Sequence, residues 1–197
     1  MSRLARIVTF AAIMGSALGA PALAHTGVGA HGSGFAAGFL HPLLGLDHLL
    51  AMLGVGLWAA QLGKRATWMV PMAFVAVMAA GAVLACSGVA LPMVELGIAG
   101  SVLVIGALVA LGAHMPVVPA MIIAGAFALF HGHAHGTELP GFAAPIAYGA
   151  GFVAATALLH AAGVGIAHAV RGPAAKLPVR LAGAVMAAVG GGFLMGA

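Results

Sequence analysis

The chain has 197 residues, 63% of them hydrophobic and 5% charged, with 31 glycines and a net charge of +4. Its mean hydropathy of +1.19 excludes a water-soluble globular domain, which would have to expose much of that apolar surface. Seven scattered basic residues form no patch, which argues against a nucleic-acid partner; the single cysteine, Cys86, excludes an intramolecular disulfide and a thiolate metal cluster and reads as a small buried apolar residue.

A bilayer accepts such a chain if every backbone polar group is bonded within helices or a closed barrel. The apolar stretches lack the period-2 alternation of barrel strands and are long enough for helices, so the fold class is an all-α integral membrane protein. At the N-terminus, Arg3 and Arg6 precede the apolar run from Ile7 to Ala20, and Pro21-Ala22-Leu23-Ala24 supplies small residues at the two selective positions of a secretory cleavage site. Residues 1–24 are therefore expected to be a cleavable signal peptide. Residues 25–197 would form a single six-helix transmembrane domain; an uncleaved first helix is the alternative.

Six apolar segments follow, at residues 35–61, 66–86, 92–112, 117–135, 142–169 and 178–196. They are separated by Gly63-Lys64-Arg65, Ser87-Gly88 with Pro92, His114 to Pro116, Pro140-Gly141, and Gly172-Pro173 with Pro178. An outside start followed by six crossings puts Lys64, Arg65, Arg171, Lys176 and Arg180 all on the inner side, as the positive-inside rule requires. Both termini of the mature chain are then periplasmic, in a bacterial inner membrane. Small-residue spacings such as Gly97 to Ser101 and Ala187 to Gly191 predict close helix approach. A homo-oligomer is left open.

Ionisable groups within spans are costly and point to function. The first cluster is HPLLGLDH, His41 to His48. His41 and His48 are two helical turns apart and would share a face, whereas Asp47 lies off it; Pro42 and Gly45 make a regular helix doubtful, and a distorted turn would bring Asp47 round. The second is FHGHAHGTELP. On a continuing helix His131, His135 and Glu138 form one stripe, with His133 pointing elsewhere. Five histidines and two of the three acidic residues thus fall in 19 positions. Neutral imidazole with carboxylate suits borderline divalent ions, Ni, Co, Zn or Cu(II), over Mg or Ca. A structural polar network and a proton relay are the competing readings of the same residues.

The other candidates are weaker singly. After cleavage His25 would offer an imidazole and a free α-amine, and with His31 it is expected to capture metal at the outer mouth. His160, deep in the fifth span, is expected to serve as a relay ligand, with a hydrogen bond to Thr156 as the structural alternative. His114 and His168 read as interfacial, and Met52, Met72, Met78 and Met121 as gap-filling core.

The strings HPLLGLDH and FHGHAHGTE resemble the HPxxGxDH and FHGxAHGxE signatures of the HupE/UreJ family of nickel and cobalt permeases, with no departure from either pattern. The likeness extends to the six-span plan, the basic inner loops and the histidine-led mature N-terminus. The related nickel-cobalt transporter family, whose first motif is one residue shorter, fits less well. The resemblance implies secondary uptake of Ni(II) or Co(II) across the inner membrane, with the metal as cargo and no cofactor, serving hydrogenase, urease or cobalamin supply. With no HExxH helix and no nucleotide-binding motif, an intramembrane metalloenzyme and a metal-sensing membrane subunit are the alternatives.

Overall fold

A computed structural model describes residues 34–139, 144–170 and 176–196. The expected signal peptide, His25, His31, Arg171 and the turns at Pro140-Gly141 and Gly172-Pro173 lie outside the described residues. Among those described there are seven α-helices: α1 Phe35–Leu44, α2 Leu46–Leu62, α3 Ala66–Cys86, α4 Val94–Leu111, α5 Val117–Glu138, α6 Pro145–Ala169 and α7 Lys176–Gly196.

Helices α3 to α7 are each long and apolar enough to cross a bilayer. The protein is thus a multi-pass membrane protein. The segment expected as one span over 35–61 is instead two helices bent by 82° at Gly45, either a broken span or a re-entrant pair. The cause is local: Pro42 cannot donate its backbone nitrogen, and the glycine that follows caps α1 through its N–H to the His41 carbonyl.

Polarity is arranged inside out relative to a soluble protein. His48, His131, His160, Ser101 and Thr156 are buried, whereas Trp68, Met72, Ile122, Ile146 and Leu158 are exposed to the surroundings. Lipid solvates the outer apolar surface, so burial here follows polar satisfaction and packing.

Glycines permit the helices to approach backbone to backbone. The α3 and α5 pair is the most extensive; Gly132 lies against the Met78 carbonyl and Gly81 against that of Leu129. Gly56 and Gly163 do the same between α2 and α6. Of the expected small-residue spacings, Gly97 faces the Phe130 ring, but Gly191 has open space around it. The α4 and α7 approach runs through Gly106, Gly183 and Gly190.

The two ends of the bundle differ. At one end carbonyls at and just beyond the α4 C-terminus are met by side chains: Gln61 Nε2 donates to Val109 O (3.1 Å), Arg180 Nε to Ala110 O (2.8 Å) and Nη2 to Leu111 O (2.6 Å), and Trp58 Nε1 to Ala113 O (3.2 Å). Lys64, Arg65 and Lys176 belong to this end. At the other, Cys86 Sγ reaches Gly136 O at 3.6 Å and His133 Nε2 donates to Val89 O at 2.8 Å. Cys86, the last residue of α3, is exposed, against the expectation of burial.

Candidate metal centre

The histidine-rich end is assembled from three elements. α1 carries His41, α2 carries Asp47 and His48 in its first turn, and α5 continues to Glu138, so that FHGHAHGTE is helical throughout. The His41 and His48 rings lie 5.8 Å apart, brought together across the 82° bend and not by two turns of one helix.

Asp47 joins the site through its neighbour. Its Oδ1 accepts from the His48 backbone N–H (2.7 Å) and from Nδ1 of the same ring (2.7 Å). A hydrogen on Nδ1 leaves the lone pair of a neutral imidazole on Nε2. That Nε2 faces Nε2 of His135 at 2.7 Å. Nδ1 of His135 in turn faces Glu138 Oε2 at 3.3 Å. The sequence of groups is carboxylate, imidazole, imidazole, carboxylate. If each carboxylate holds a proton on the adjoining Nδ1, two Nε2 lone pairs point at one another, an arrangement stable only with a cation between them. Two nitrogens bound to one transition metal at about 2.0–2.1 Å lie roughly 3.0–3.4 Å apart at octahedral or tetrahedral angles, so to admit an ion the pair must open by about 0.3–0.7 Å and turn until both lone pairs converge on it. Orientation of metal-binding histidines by carboxylates is the usual outer-shell device for fixing the tautomer.

His41, His135 and Glu138 each offer a ligand atom within 4.8 Å of the others'. The His41 ring lies 4.4 Å from that of His135, and Phe152 packs on His135 (4.2 Å), His48 (6.1 Å) and His41 (6.1 Å), giving the cluster an apolar wall. Beside it is a cavity of about 190 Å³ lined by Met78, Gly132, His135, Tyr148, Gly149 and Phe152, among others.

His131 lies one turn deeper and is fully buried. Its ring packs on His48 at 4.8 Å. The Ser101 hydroxyl donates to Ile98 O (2.6 Å), so it must accept from His131 Nε2 (2.9 Å). The proton is therefore on Nε2, and Nδ1, which has no hydrogen-bond partner among the described residues, keeps its lone pair. Exposure falls from the Glu138 side chain (33%) through Asp47 (9%) and His135 (4%) to His48 (2%), a graded descent into the bundle.

His160 lies apart from this group, in contact with Phe74. The anticipated bond to Thr156 is not formed: the Thr156 hydroxyl donates to Met52 Sδ at 3.3 Å, with Met78 Sδ at 3.9 Å. Met52 and Met78 are buried, whereas Met72 is exposed and not part of the core. His133 ties α5 to the segment before α4 through Val89. His114 is exposed and bonded to Gly112 O at 2.7 Å, and His168 is exposed at the basic end.

The sequence marks Ser101 only as a small packing residue and does not mark Phe152 at all. Ser101 is the only hydroxyl in the apolar run GIAGSVLVIGA, a signal of the right kind, but it also fitted a packing motif.

The profile of the family described as HupE / UreJ protein matches residues 12–193. Protein HupE of Rhizobium leguminosarum bv. viciae is 49% identical over 181 residues, covering 92% of this chain and 95% of that protein. No solved structure matches the chain.

Proposed function

Since the chain belongs to the HupE/UreJ family, we propose that it is a secondary permease for a divalent transition metal, Ni(II) or Co(II) before others, passing the ion along the described histidines and carboxylates. The observation that carries this reading is the opposed pair of Nε2 atoms on His48 and His135, 2.7 Å apart and each backed by a carboxylate. Borderline donors select the ion class, and an incomplete, exchangeable ligand set lets it leave again. Glu138 and His41, partly exposed, receive the ion; His135 and His48 take it inward, and His131 is next in depth.

The positive-inside rule puts Lys64, Arg65, Lys176 and Arg180 in the cytoplasm, which makes the histidine-rich end periplasmic and the direction uptake across an inner membrane. The signal peptide of residues 1–24, the capture pair His25 and His31, and periplasmic termini belong to the same proposal, on sequence grounds alone.

The test is uptake of radiolabelled nickel into proteoliposomes, with Zn, Co and Cu(II) as competitors. Asp47→Asn and His48→Ala should each abolish uptake and leave the helical content unchanged. Wild-type rates in both variants would overturn the proposal. The opposed imidazoles are also the geometry of a shared proton, which favours a proton relay as the second reading. Proton flux through the vesicles without any metal would select it.

A further inference from the structure

Between α3 and α6, toward the basic end, the helices diverge around a groove of about 830 Å³. Its lining includes Lys64, Thr67, Trp68, Met72, His160 and His168. His160 is 2% exposed, yet neither of its ring nitrogens has a hydrogen-bond partner among the described residues. A buried imidazole with both nitrogens unpaired is destabilising, and such exceptions in a folded protein call for a functional reason.

We propose that this groove is a second transition-metal site, in which His160 binds the ion on its way out of the protein. The inference rests on reading the carboxylate-histidine cluster as the site of capture, and it adds where the ion goes next.

The two sites are separated by packed side chains. The Phe74 ring lies against His131 (5.7 Å) on one side and His160 (5.1 Å) on the other. Thr156, one turn before His160, is bonded to Met52 and Met78, and Met78 also lines the small cavity beside His135. An ion moving between the sites must displace this aromatic and thioether plug.

Volume and charge distinguish the sites. The cavity beside His135 is about 190 Å³ and the groove about 830 Å³, more than four times as large, so the groove has more room for an ion that keeps its waters. The cluster has two carboxylates, Asp47 and Glu138; no acidic side chain lines the groove, and Lys64 stands in it. Both His160 ring nitrogens are closed off from the groove, so an ion there reaches one only when the ring turns; a single imidazole with water, beside a cation, then makes a weak site suited to release. His168 is eight residues beyond His160, about 12 Å along the helix, and supplies a second imidazole nearer the mouth.

The experiment titrates purified, lipid-reconstituted protein with Co(II), followed by its absorption bands and by calorimetry, alongside nickel uptake. Wild type should bind two ions of unequal affinity. His160→Leu should lose the weaker and keep the tighter, with uptake reduced at least tenfold and no fall in thermal midpoint, since no hydrogen bond is removed. The double variant His48→Ala, His135→Ala should lose the tighter and keep the weaker. Ala161→Trp, which fills the groove, should also lose the weaker site and reduce uptake. Both sites and wild-type uptake retained in H160L and A161W would overturn the proposal and mark the groove as a lipid-filled crevice. Unchanged stoichiometry in H160L with a lowered midpoint would overturn it in favour of a packing role. A tighter site that survives the double variant would instead refute the cluster as the capture site, and loss of the weaker site in H160L would still stand.

Discussion

Gly132 offers a sharp test of the idea that α3 and α5 hold the cluster at a fixed spacing. A Cβ at this position would overlap the Met78 carbonyl oxygen and lie 2.7 Å from its carbonyl carbon and 2.9 Å from its Cα. Carbon atoms in contact sit at about 3.5–4.0 Å, and both partners here are backbone, so Gly132→Ala must push the two helices apart by about 1 Å. His135 is less than one turn further along α5. Moving it by that distance changes its separation from His48, 2.7 Å here, by up to about 1 Å, more than the opening that seating an ion requires. Overpacking of this kind destabilises by about 1–3 kcal/mol, which a bundle with so many backbone contacts survives.

The larger consequence is geometric, because displacement of a binding group by about 1 Å costs up to roughly a hundredfold in function. Gly149 is the control: it lines the same cavity, but a Cβ there meets nothing within 4 Å. Nickel uptake into proteoliposomes, normalised to inserted protein, should fall ten- to a hundredfold in G132A and stay near wild type in G149A. Wild-type uptake in G132A would refute the claim that spacing between these helices sets the site. Equal losses in both variants would show that the cavity tolerates no added volume, which is a different mechanism.

Ser101→Ala removes the acceptor that fixes the His131 tautomer and should raise the KM for nickel about tenfold, with Ser101→Thr restoring it; an unchanged KM in S101A would remove His131 from the path. Arg180→Met strips two donors from the α4 C-terminus and should lower the thermal midpoint by a few degrees without altering the order of metal preference; a shifted preference would mean that the basic end takes part in selectivity.

The helical, membrane-embedded class was legible because hydropathy acts over whole segments, and no tertiary detail changes it. The site was legible as two strings of chemically unusual residues, but not as a geometry. Helical periodicity put His41 and His48 on one face for the wrong reason, since they meet across a bend. Asp47, off the face on a regular helix, reaches the site through the ring of its own neighbour. Partners distant in sequence left no such trace. Ser101 pairs with His131 across 30 residues, and Thr156 turns to Met52 across 104 instead of to His160 four residues on, because contacts between helices are decided by packing.

Gly45 ties these differences together. It ends α1 and begins α2, so the segment has two helix termini within the bundle and not a continuous span. The first turn of α2 presents amides that lack an intrahelical acceptor, together with the positive end of the helix dipole, and Asp47 is the acidic residue placed there, its Oδ1 accepting from the His48 N–H. A side chain at position 45 would press on Asp47 Oδ1 (3.0 Å) and His48 Nδ1 (3.3 Å), the two atoms whose bond orients the His48 ring. The break that makes the first span irregular is thus the feature that places a carboxylate-oriented imidazole inside the bundle. Interrupted helices at the binding sites of secondary transporters answer the same physical need, to bring backbone charge and free polar groups to an ion where water is scarce.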